Sequence, residues 1–206
     1  MSNPLADLGE LVLENAEVCA KQLLEEDSLA RDIPFVSNAL KLMRSISSIS
    51  DRILGHKLKK LFDSLHRVPE RELNQMYQGL LSKPEDARRI GELTLLTVER
   101  VADLEKPSWV ALMLLGYIDG VVTYDEFRRV CTAVNQTIPT DLAYLVDVAD
   151  QPPSKELSAL AALVPSGLAT VKGEATWNED GVLLYAASDL GRKVARVHTK
   201  WGHILD

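Results

Sequence analysis

The chain has 206 residues, 46% of them hydrophobic and 26% charged, an ordinary globular balance with room for one good core or two small domains. A formal net charge of −7 argues against a general polyanion binder, so nucleic acid is not the expected partner. Aromatic residues are few, and the apolar weight sits in Leu, Val, Ala and Ile, which favours helices.

The N-terminal stretch MSNPLADLGELVLENAE carries acids where a secretion signal needs bases. No segment approaches the ~20 uninterrupted apolar residues of a spanning helix. Cys19 and Cys131 lie far apart, each in a helical apolar pattern, and read as buried thiols of a reducing compartment. A cytoplasmic location, at most peripheral to a membrane, is the expectation.

Residues 4–30 predict an amphipathic helix with Leu8, Leu11, Val12, Cys19 and Leu23 on one face. Its polar face is acidic, from Asp7 through Glu14 to Asp27, against the single Lys21. Segment 33–65 follows, with Phe35, Met43, Ile46, Ile53, Leu58 and Phe62 recurring every three or four residues. It predicts one helix or two nearly coaxial ones. Its polar face is basic: Lys41, Arg44, Arg52, Lys57, Lys59 and Lys60. Two readings stand side by side. The acidic and basic helices pack as a charge-complementary hairpin, or the basic segment meets an anionic membrane surface or a partner through these residues with Phe35, Met43, Ile46 and Phe62.

Pro69, Pro84 and Pro107 each predict a helix start, giving helices over about 69–82, 84–105 and 107–118. The fourth takes its apolar stripe from Ile90, Leu93, Leu96, Thr97, Val101 and Leu104, and the fifth is apolar nearly all round and therefore central. YIDGVVTYDEF, residues 117–127, has the acid–glycine–glutamate order of a calcium loop's second half. With Gly120 at position 6, however, positions 1 and 3 become Leu115 and Tyr117, which offer no carboxylate. No calcium is expected at the 115–126 turn. The same residues make a corner in which Gly120 ends one helix, and Thr123 and Glu126 form a capping box for the next, over 124–136.

After Pro139 the character changes. A short helix over 140–150 leads to Pro152-Pro153, the helical run KELSALAALV, then two strands joined by the Asn178–Gly181 turn and a last capped helix. The string SGLATVKG…GVLLYAASDLGRKVARV resembles the end of a winged-helix domain, through Gly167-Leu168 and through Tyr185, Ser188, Leu190, Gly191 and Arg192. The resemblance covers about 65 C-terminal residues. It implies a recognition helix at Lys155–Val164 and a wing tip at Asn178–Gly181. That helix is short of the Arg, Lys, Asn or Gln that reach base edges, and the wing tip presents Glu179 and Asp180 to any phosphate. The resemblance therefore points to protein contact, with Lys155, Leu157, Trp177, Arg192 and Arg196 as the candidate surface.

His56, His66, His198 and His203 are not spaced as metal ligands, and no nucleophile–base or phosphate-cradling motif stands out. The expectation is a mainly α protein: an all-helical domain over 1–139 and a winged-helix-like α+β module over 140–206. It is read as a non-catalytic interaction or regulatory protein with no cofactor, working with a protein partner or as a homo-oligomer. Membrane association and DNA binding are the alternatives.

Overall fold

The computed structural model describes residues 49–69, 71–72, 75, 78, 84–174 and 182–205. The protein is mainly helical, with a small two-stranded antiparallel sheet near the C-terminus, as the sequence predicts. It divides into two compact units, 1–111 and 112–206. The 139/140 division anticipated above falls inside the second unit. Expectations for 4–30 and 33–48, including whether 33–65 is one helix, lie outside the described residues.

In the first unit α1 (Ile49–His66) packs on α2 (Pro84–Arg100). Leu58, Leu61, Phe62 and Leu65 of α1 and Ala87, Ile90 and Val98 of α2 are buried, the three-and-four spacing that places one stripe inward. Pro84, Glu85 and Asp86 suit the first turn of α2. Helix α2 stops at Arg100, five residues short of the expected 105. The Asp103 carboxylate instead accepts from the Glu105 amide at 2.7 Å, a local turn that competes with helix continuation. The expected stripe is corrected too. Ile90, Thr97 and Val101 are buried, but Leu96 and Leu104 are exposed.

Helix α3 (Lys106–Ile118) is buried from Lys106 to Gly116, which accounts for its lack of a polar face. Within the second unit it ends on Gly120 at φ 76°, a conformation that favours glycine. The capping box of α4 (Tyr124–Gln136) forms as the sequence indicates. The Glu126 amide donates to Thr123 Oγ1 at 3.3 Å, and the Thr123 amide donates to Glu126 Oε2 at 2.9 Å. Helix α5 (Pro139–Val148) follows, with Leu142, Leu145 and Val148 inward.

Lys155–Leu163 is a 3-10 helix with a kink at Leu157, not the α-helix expected. Its Leu157, Leu160 and Leu163 are all buried, and the tighter three-residue period keeps them in register. Strands β1 (Ala169–Glu174) and β2 (Val182–Ala187) pair antiparallel from Ala169↔Ala187 to Glu174↔Val182. Ser154 adds an antiparallel bridge to Tyr185. Helix α6 (Asp189–Trp201) closes the unit against α5.

The β2–α6 corner explains the residues that carried the winged-helix resemblance. The Ser188 hydroxyl accepts from the Gly191 amide at 3.0 Å and donates to the Gly167 carbonyl at 2.7 Å. Arg192 donates to the Ala187 carbonyl at 2.7 Å and pairs with Asp189. A side chain on Gly191 would run into the Leu168 carbonyl oxygen, so only glycine lets α6 approach the start of β1 this closely.

Candidate functional site

Of the basic-segment residues, Phe35, Lys41, Met43, Arg44 and Ile46 lie outside the described residues, as does the side chain of Arg52. The remaining four are on α1 and do different things. Phe62 is buried in the first unit's core. Lys57 is 7% exposed and turned inward, where its ammonium donates to the Glu99 carbonyl at 2.9 Å. That carbonyl belongs to the last turn of α2, which has no amide of its own helix to bond, so Lys57 caps the negative end of the helix. Burial pushes the Lys57 ammonium below its usual range, and the Glu99 carboxylate opposes the shift. Lys59 pairs with Asp63 one turn on, and Lys60 lies 3.2 Å from Glu105. Partly exposed pairs of this kind stabilise by less than ~1 kcal/mol each.

Beside these lysines the first unit has an apolar groove of about 350 Å³. Leu54 and Leu58 of α1 line it with Leu95 and Leu96 of α2, and Glu92 and Glu99 stand at its edge. Leu96 is 47% exposed, and Ile53, next to Leu54 on α1, is 48% exposed. Alternate large side chains of two packed helices leave a slot of this kind where neither stripe is wide enough to close over it. The sequence did carry Leu96 in its periodic stripe. It gave no sign that the stripe turns outward there, because that depends on how α2 is rotated against α1.

The module residues are dispersed. Lys155 and Arg196 are exposed, and Arg192 is half-buried in the corner described above. Leu157, expected on a contact surface, is only 4% exposed and belongs to the core of the second unit. The 3-10 period turns it inward together with Leu160 and Leu163. Trp177 lies outside the described residues. Cys131 is a buried thiol that forms no disulfide, while Cys19 lies outside the described residues.

Two further sets of side chains gather in the second unit. At the corner between α3 and α4, Lys200 reaches Asp119 at 2.6 Å, and Lys193 reaches the two oxygens of Glu126 at 2.7 and 2.8 Å. Asp119 and Glu126 are the acids that gave the corner its calcium-loop appearance, and α6 supplies a lysine to each. The Lys193 bond, with the Thr123 amide, holds the Glu126 carboxyl below its ordinary range. Among the described residues no three His, Cys, Asp or Glu side chains gather as metal ligands.

The second set was missed by sequence reasoning. Arg128 and Arg129 on the exposed side of α4 line an open groove of about 750 Å³, shared with the 165–167 and 188–190 turns. The available signal was the adjacent pair in EFRRVCTAV, opposite the buried Phe127, Val130 and Cys131. No helix among the described residues is long and apolar enough to cross a membrane. Compared with known proteins, the chain matches no family profile, no curated protein and no solved structure.

Proposed function

We propose that the chain is a non-catalytic interaction protein whose first unit seats an amphipathic helix of a protein partner between α1 and α2. The observation that carries this reading is the leucine-lined groove of about 350 Å³, at which Leu96 is left 47% exposed. Helix-in-groove recognition uses apolar anchors spaced three and four residues apart on the incoming helix. Glu92 is already paired with Arg88 at 2.7 Å, so Glu99 is the carboxylate at the groove that favours a Lys or Arg flanking those anchors.

The C-terminal module, read as winged-helix-like, serves contact rather than base reading. The Ser154–Tyr185 bridge and the Ser188–Arg192 corner support the likeness. The 3-10 run between Ser154 and β1 is broken by a kink at Leu157. Its exposed residues are Lys155, Glu156, Ser158, Ala159, Ala161 and Ala162, and of these Lys155 alone is a long donor of the kind that reads base edges. The membrane reading is weakened where α1 can be followed, since Phe62 and Lys57 face inward.

Hydrogen–deuterium exchange on the whole chain tests the proposal. A 14-residue Leu/Lys amphipathic peptide should protect amides of 49–66 and 84–100, and Leu96→Lys should remove that protection while leaving the fold intact. Protection by anionic liposomes but not by the peptide would transfer the function to a lipid surface. Concentration-dependent protection without any addition would identify a second copy as the occupant.

A further inference from the structure

We propose that the groove beside α4 in the second unit is a binding site for an acidic, partly apolar peptide segment in extended form. It is independent of the first unit's groove, in position and in chemistry. Arg128 and Arg129 present ten N–H donors from adjacent positions, and neither guanidinium is held by a carboxylate of the described residues. This is unusual in a chain of net charge −7, where acids outnumber bases 30 to 23. Gln136, two turns along the same face, adds an amide. Among the described residues the acid lining the groove, Asp189, is engaged by Arg192.

The opposite lining is of another kind. Pro165 and Leu190 contribute apolar surface, and the Ser188 hydroxyl is committed to the Gly167 carbonyl and the Gly191 amide. An extended peptide points alternate side chains to opposite sides. Acids at every second position therefore meet the arginines while apolar neighbours meet Pro165 and Leu190. A volume of about 750 Å³ accommodates a few such residues. Carboxylates suit paired guanidinium groups through two-pronged hydrogen bonds. A nucleic acid would bring a continuous run of phosphates to a unit whose exposed surface also carries Asp125, Asp147, Asp150 and Glu156.

The test is fluorescence anisotropy on the full chain with a fluorescein-labelled decapeptide of alternating Glu and Leu. Saturable binding that weakens with added salt is expected, lowered about tenfold or more by Arg128→Gln/Arg129→Gln. Arg128→Glu/Arg129→Glu should abolish it and create binding to the matching Lys/Leu peptide, a reversal that misfolding would not produce. Leu96→Lys should leave binding unchanged, which separates this site from the proposed helix groove. The proposal fails if the Glu/Leu peptide does not bind, if the arginine variants bind it as well as the parent, or if a random DNA duplex binds more tightly through the same arginines.

Discussion

The first unit and the corner of the second unit use lysine in opposite ways. Lys57 is drawn inside to cap α2, and the loss of hydration outweighs the attraction of Glu99, so its ammonium is harder to keep charged. Lys193 stays near the surface, where its bond to Glu126 outweighs the carboxylate's partial burial. One lysine satisfies a helix end at an electrostatic cost, and the other adds to a cap that the local sequence already builds. The first unit thus adds the Lys57 and Ser64–Ser108 contacts to its buried apolar core. The second adds local caps, close glycine approaches and the α6 ion pairs to its own.

The contrast can be broken most forcefully at Gly191. Gly191→Ala places a methyl group against the fixed Leu168 carbonyl and should destabilise by about 3 kcal/mol in urea unfolding. Gly116→Ala should destabilise as well, because it meets both methyls and the Cβ of the buried, β-branched Val197, which has little freedom to turn. A loss at Gly191 below about 1 kcal/mol would mean that α6 shifts freely against β1.

In the first unit the corresponding point is the buried 2.9 Å bond between the Ser64 and Ser108 hydroxyls, in which Ser108 donates because the Ser64 hydrogen goes to the Lys60 carbonyl. Ser64→Ala should lower stability by about 1–2 kcal/mol, since it leaves the Ser108 hydroxyl without this partner. The double variant with Ser108→Ala should be less destabilised than the sum of the two singles. Additive losses would show that the two hydroxyls do not depend on each other.

Thr123→Ala removes one half of the capping box and should cost about 1 kcal/mol by thermal melting. The smallest effect sharpens the lysine comparison through pH. Glu126 has a folded pKa below its reference of 4.5, so its contribution is complete above that value and is lost as pH falls through the folded pKa. Lys193→Met should flatten this acid dependence of the urea midpoint. Lys57, also lowered but from 10.5, makes stability rise with pH in the alkaline window instead.

What could be read from the sequence is what neighbouring residues encode. Pro84 and Pro139 open helices, Gly120 ends one, and Thr123 with Glu126 starts the next, each through groups within a few positions. The α1 stripe was legible for the same reason. The rotation of α2 is not, so the periodic stripe puts Leu96 inward when it lies at the groove. The charge pattern puts Lys57 on a basic surface because its acceptor, the Glu99 carbonyl, is 42 residues away. Helix type at Lys155–Leu163 was also illegible, since packing of three leucines sets the period there. Of the two candidate grooves, the sequence supplied lining residues but not their assembly.

The corner between α3 and α4 has one further consequence. Asp119 and Glu126 have their counter-ions built into α6, so the charge of this turn is balanced by the chain itself. Ion pairs at the surface are screened by salt, so the expected sensitivity is to ionic strength. At 1 M salt, where the screening length falls to about 3 Å, α6 should exchange its amides faster while the capping box of α4 stays intact. Sodium, potassium and calcium chlorides at matched ionic strength should act alike, because α6 keeps its buried face and loses only the ion pairs to Asp119 and Glu126.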